Sequence, residues 1–162
     1  MQIFLDCDGV LADFDTRFEE LSGETSRGFE DKFGQKAFWK VVMSDDSFFA
    51  NLPVMPDAHE LVDAVRHLNP IILTGCPQGS WSQPQKQLWR YKNFPDLPMI
   101  TCMSRDKFQY MVPMKNNILI DDWPKYQTIW EDNGGTFLLH TSAKDSIQKL
   151  KRLGVLNDSE TS

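Results

Sequence analysis

Four short stretches of this 162-residue chain end in side chains able to hold a phosphate or a cation. In Asp6-Cys7-Asp8-Gly9-Val10, two carboxylates two residues apart directly follow the apolar run Ile3 to Leu5. Leaving a strand, such a pair can approach one cation, one through its carboxylate and the other through its main-chain carbonyl. Gly9 lets the backbone turn sharply beside them. The run Ile71 to Leu73 leads into Thr74-Gly75, where a hydroxyl and the following amides can donate to a phosphate oxygen. Ser104-Arg105-Asp106-Lys107 follows Met99 to Cys102, and Lys107 can balance nearby carboxylates and hold a phosphoryl oxygen. Ile118 to Ile120 ends in Asp121-Asp122, adjacent carboxylates that repel one another unless a cation sits between them. Singly, these are a turn, a strand end, a surface lysine and a helix cap. Together, in the order Asp-x-Asp, Thr, Lys, Asp-Asp, they are the groups that phosphoryl transfer needs.

The elements that must position these groups follow from the apolar pattern. Short continuous runs, joined by a fifth at Phe137 to Leu139, read as buried strands of a parallel sheet. In such a sheet ligands bind beyond the carboxyl ends of the strands, where all four groups fall. Helical patterns lie between the strands. Asp57 is expected to cap a helix that turns Leu61, Val62, Val65 and Leu68 inward. Trp81 to Tyr91, with Pro84 near its first turn, and Pro124 to Asp132, stopped by Gly134-Gly135, suit two more. Ser142 opens a last one, with Ile147, Leu150 and Leu153 inward. Strand alternating with helix gives an α/β sandwich.

Residues 14–51 break that rhythm with eight aromatics, Phe14, Phe18, Phe29, Phe33, Phe38, Trp39, Phe48 and Phe49, and no clear strand. This stretch is expected to be a small helical cap inserted after the first strand. The core is then 1–13 and 52–156, and 157–162 a flexible tail. Phe14, just past the Asp-x-Asp loop, is the aromatic best placed to meet a substrate. Most of the others should pack the lid itself.

The formal net charge of −6 argues against a nucleic-acid polymer as partner, which calls for a basic face. No apolar run approaches the ~20 residues of a membrane span. Cys7, Cys76 and Cys102 have no metal-ligand spacing and are odd in number, so a reduced, cytoplasmic setting is expected.

With these motifs in hand, the chain resembles the haloacid dehalogenase (HAD) superfamily of phosphotransferases from Ile3 to about Leu153. Within it, Asp8-Gly9-Val10-Leu11-Ala12-Asp13-Phe14, Phe48-Phe49 with Leu52-Pro53, Arg105-Asp106-Lys107 and Leu119-Ile120-Asp121-Asp122 are most similar to the 5'(3')-deoxyribonucleotidases. Thr74-Gly75-Cys76-Pro77 departs from that family's usual Thr-Ser-Pro. The resemblance implies a Rossmann-like three-layer sandwich with Asp6 as nucleophile, Asp8 as acid and base, and Mg²⁺ as cofactor. The metal would be held by Asp6, the Asp8 carbonyl and the Asp121-Asp122 pair, with Asp122 the direct ligand. Thr74, Gly75 and Lys107 would bind phosphate. The implied substrate is a small phosphomonoester, in the first instance a (deoxy)nucleoside monophosphate. Another monoester, or a non-catalytic regulator that binds metal or phosphate, is the alternative.

Overall fold

Each of the five apolar runs forms a strand of one parallel sheet in the computed structural model, which describes residues 1–161. The strands are β1 (Gln2–Leu5), β2 (Ile71–Gly75), β3 (Met99–Cys102), β4 (Asn117–Asp121) and β5 (Thr136–Leu139). Their order across the sheet is β3-β2-β1-β4-β5, so β1 is central. Leu5 stands opposite Ile72 on one side and Ile120 on the other. In that register β2 runs three residues and β4 one residue past the level of Leu5, so the Asp6-Cys7-Asp8 loop leaves the sheet between their ends. Ile3 and Leu5 pack into one apolar layer and Phe4, with Leu73, Leu119 and Trp130, into the other. Burial on both faces is why these strands read as unbroken apolar runs. The architecture is a Rossmann-like α/β sandwich.

The helices are α1 (Phe14–Ser22), α2 (Ser26–Met43), α3 (Ala58–Val65), α4 (Ser82–Asn93), α5 (Gln127–Asp132) and α6 (Ala143–Arg152). Short 3-10 helical segments cover Arg66–Leu68, Ser104–Tyr110, Pro124–Tyr126 and Asp158–Thr161. That last turn lies within the expected tail, and Ser162 falls outside the described residues.

Two helix ends differ from expectation. Asp57 makes no side-chain cap on α3. Its carboxylate instead accepts from the Ala143 amide at 2.7 Å, so it caps α6, whose own Ser142 accepts from the Asp145 amide. Leu153 was expected inward, but α6 ends at Arg152 and Leu153 is exposed past it, while Ile147 and Leu150 are buried.

Helices α1 and α2 leave the sheet after β1 and return before α3. Asp13 caps α1 by accepting from the Thr16 amide, and Thr25 caps α2. Helix α2 is broken at Gly34. The outgoing and returning chains run side by side: the Asp13 amide donates to the Pro53 carbonyl and the Met55 amide to the Leu11 carbonyl, each at 2.8 Å. Phe14 stands 5.0–6.2 Å, ring centre to ring centre, from Phe18, Phe38, Phe48 and Phe49. Arg17 of α1 clasps Asp45 beyond α2 at 2.8 Å. No helix among the described residues is long and apolar enough to cross a membrane.

Candidate active site

The ends of β1, β2 and β4 open on a cavity of about 330 Å³. Asp6, Asp8, Gly75, Lys107, Asp121 and Asp122 line its floor; Phe14, Arg27, Gln35, Phe38 and Trp39, from α1 and α2, line its roof. The break at Gly34 lies just before the last three of these. Every residue singled out from the sequence as a site residue therefore meets in one place, except Thr74.

Asp6 is nearly buried, and its Oδ1 accepts from Lys107 Nζ at 2.9 Å. The same ammonium donates to Asp121 Oδ2 at 2.9 Å. Burial works against a charged Lys107, but Asp6 and Asp121 more than offset it and hold its pKa above the usual lysine range. The second Asp121 oxygen accepts from the Trp123 amide at 2.9 Å. Asp122 has no such cation. Its carboxylate leans on Gly9, where the backbone has φ +84° and a Cβ would collide with it. Burial first, then Asp6, Asp121 and Asp8, pushes the Asp122 pKa upward. Oxygens of Asp6, Asp121 and Asp122 come within 4.8 Å of one another, a spacing that can hold a metal ion. The Asp8 side chain is not part of that group.

Asp8 turns the other way, toward a residue the sequence reading did not single out. Lys86 of α4 donates to Asp8 Oδ2 at 2.7 Å, to Thr74 Oγ1 at 3.0 Å and to the Gly75 carbonyl at 3.0 Å. Its ammonium also sits 4.5 Å from the centre of the Phe49 ring. Asp8 Oδ1 is buried without a partner. Burial raises the Asp8 pKa, against the opposing pull of Lys86.

Among solved structures, the chain is similar to a HAD family hydrolase from Deinococcus radiodurans R1 with bound phosphate and sodium. The TM-score is 0.57 at 12% identity, over 96% of this chain and 97% of that one. It is also similar to L-2-haloacid dehalogenase from Xanthobacter autotrophicus with chloropropionic acid covalently bound, at TM-score 0.55 and 11% identity over 98% and 85% of the two chains. A hydrolase from Pseudomonas syringae gives 0.54 at 11% identity, over 91% and 88%. The fold is that of the HAD-type hydrolases. No protein-family model matches the sequence, and no curated protein matches it significantly.

Two features of this HAD-type fold correct the reading of the strand ends. Thr74 was expected on the cavity wall as a phosphate donor, but its side chain is fully buried, accepts from Lys86 and does not line the cavity. At β2 the wall is formed by Gly75, Cys76 and Pro77. Lys86 was missed because a lysine within Pro84-Gln85-Lys86-Gln87 reads as a solvated helix face. Its signal was the spacing of Ser82, Lys86 and Trp89, at i, i+4 and i+7, which share the buried stripe of α4. Burial pushes the Cys102 thiol up to about 11.

Proposed function

We propose that the chain is a Mg²⁺-dependent phosphomonoesterase working through a phospho-aspartate on Asp6, with (deoxy)nucleoside monophosphates as substrates. The observation that carries the reading is the pairing on the cavity floor. Asp6 accepts from Lys107, and two residues on the Asp8 carboxyl, braced by Lys86, lines the same cavity. A phosphatase of this kind needs one carboxylate to attack phosphorus and a second carboxyl to move the proton.

Asp6 Oδ attacks phosphorus in line, forming the aspartyl–phosphate bond as the bond to the leaving oxygen breaks. Lys107 draws negative charge off the approaching groups. Asp8, whose pKa burial raises against the pull of Lys86, carries the proton that goes to the leaving alkoxide. A water then attacks the acyl phosphate, returning a proton to Asp8, and phosphate leaves with Asp6 restored. The hard carboxylate set of Asp6, Asp121 and Asp122 suits Mg²⁺, which needs few protein oxygens besides a substrate phosphate. Asp121 is engaged by Lys107 and the Trp123 amide, so Asp122, with no cation of its own, would be the direct ligand beside Asp6 and the Asp8 carbonyl. When bound, the ion would neutralise the repulsion between the carboxylates and a phosphate dianion. The fold is shared with one solved structure that holds phosphate and another with chloropropionic acid covalently bound, which supports the same reading.

The nucleotide part of the proposal rests on the roof, with residues 14–51 acting as the cap. Phe14, Phe38 and Trp39 offer apolar faces to a base, and a cavity of about 330 Å³ suits one small ligand. The test is a panel of nucleoside 5'- and 3'-monophosphates, p-nitrophenyl phosphate, glycerol phosphate and hexose phosphates with Mg²⁺, on wild type and Asp6→Asn. Expected are turnover by the wild type, preference for nucleotides, and none by the variant. Equal rates across the panel would end the nucleotidase reading, and an active Asn variant would end covalent catalysis through Asp6.

A further inference from the structure

The hydroxyl expected from β2 is missing from the cavity wall, yet another stands in its place. A Cβ built on Gly75 would overlap the Ser104 hydroxyl and lie 3.0 Å from Ser104 Cβ. Ser104 Oγ thus fills the volume that a side chain at position 75 would take. Successive strand residues face opposite sides, so this is the side away from the buried Thr74 hydroxyl. Gly75 stands in register with Cys102, and the chain beyond β3 turns back over the end of β2 to bring Ser104 there. Gly75 and Ser104 both line the cavity with Asp6 and Lys107. Among the described residues, Ser104 Oγ takes part in no hydrogen bond, whereas Thr74 Oγ1 accepts from Lys86 and is fully buried. Thr-Gly-Cys-Pro in place of Thr-Ser-Pro therefore removes a hydroxyl from β2 while leaving room for one from the loop after β3.

We propose that Ser104 is a phosphate-binding residue, its hydroxyl donating to the phosphoryl group that Asp6 attacks, and that position 75 is glycine to admit it. The inference rests on the phosphatase reading above. A hydroxyl that donates to a charged oxygen contributes more than a neutral pair does, and losing one donor to a phosphoryl group should lower kcat/KM by about 10- to 100-fold.

The test uses Ser104→Ala, Ser104→Gly and the transplant Gly75→Ser with Ser104→Gly. Gly75 does not have positive φ, so serine is allowed there. With glycine at 104, the nearest remaining Ser104 atom to the new Cβ is the backbone Cα at 3.2 Å, which needs a shift of only a few tenths of an ångström. Each protein is measured for kcat/KM on p-nitrophenyl phosphate with Mg²⁺, for inhibition by inorganic phosphate, and for thermal unfolding. Both single variants should lose kcat/KM and phosphate affinity together with an unchanged melting temperature, and the transplant should recover most of both. A role in packing alone would move the melting temperature and leave phosphate inhibition untouched. Ser104→Ala within about twofold of wild type on both readouts, or a transplant no better than Ser104→Gly, overturns the proposal and leaves the phosphatase reading standing. A wild type that neither turns over the ester nor is stabilised by inorganic phosphate overturns both.

Discussion

Replacing Lys86 by methionine isolates what the buried ammonium contributes. Methionine keeps the length and apolar stem of a side chain that is only 2% exposed, and removes its charge. Asp8 then keeps a buried carboxylate without a cation, and Thr74 Oγ1 and the Gly75 carbonyl lose their donor. Removing one member of a buried pair costs about 3–5 kcal/mol. The Asp8 side chain retains 28% exposure, which places Lys86→Met at the lower end, about 3 kcal/mol. Asp8→Asn strands an ammonium that still has two oxygens and the Phe49 ring, so about 2 kcal/mol is expected. The double variant buries neither charge. It should lose about 3 kcal/mol, well short of the sum, giving a coupling of about 2 kcal/mol. Urea titrations followed by the fluorescence of the five tryptophans supply all four free energies by linear extrapolation, with unchanged m as the control. Additive losses, or a Lys86→Met variant within about 0.5 kcal/mol of wild type, would refute the reasoning.

On p-nitrophenyl phosphate, Asp8→Asn should lower kcat by about 100-fold or more, while Mg²⁺ affinity, read by calorimetry, stays within about tenfold. Loss of Mg²⁺ binding would make the Asp8 side chain a ligand. Phe14→Leu keeps an apolar filler among four aromatic rings and removes the stacking face. Its kcat/KM on dTMP should fall at least about fivefold further than on p-nitrophenyl phosphate, and equal losses would exclude Phe14 from base contact. Hydrogen bonds from Arg17, then from the Ser47 amide, hold the Asp45 carboxyl below the usual range. As pH falls the unfolded chain is protonated there first, so this contribution is intact above about pH 4 and lost as pH falls through the lower folded value. Asp45→Asn should flatten that part of the acid stability profile; a profile parallel to wild type would mean that the clasp contributes nothing.

The three middle strands were legible because they are buried on both sides, so Ile71-Ile72-Leu73 and Ile118-Leu119-Ile120 leave no polar alternation to misread. The carboxylates of the site were legible for a related reason: Asp6, Asp8, Asp121 and Asp122 stand where those runs stop. What stayed hidden depends on distance in the chain. Asp57 has the type and position of a cap for its own helix, and only the folded chain shows it serving an amide 86 residues away. Thr74 and Ser104 both carry hydroxyls near strand ends, and no local pattern says which one reaches the cavity. Lys86 looked solvated because its ion partner lies 78 residues earlier. Of the roof, Phe14 was legible from its place just past the Asp-x-Asp loop, whereas Phe38 and Trp39, beyond the break at Gly34, reach the cavity only in the folded chain.

The sheet order has a consequence for synthesis. The middle strand, β1, is the first of the five to be made, and both its neighbours, β2 and β4, come much later. Some 116 residues separate Leu5 from Asp121, about 6–20 s at ordinary translation rates. Through that interval Ile3-Phe4-Leu5 has no partner on at least one edge, while Lys86, the partner of Asp8, and Lys107, the partner of Asp6, are made in turn. A ribosome-bound chain halted before residue 107 carries the whole Asp-x-Asp loop and the roof above it, yet no ammonium that reaches Asp6. The site is complete only once the loop beyond β3 and the end of β4 have joined a strand made long before them.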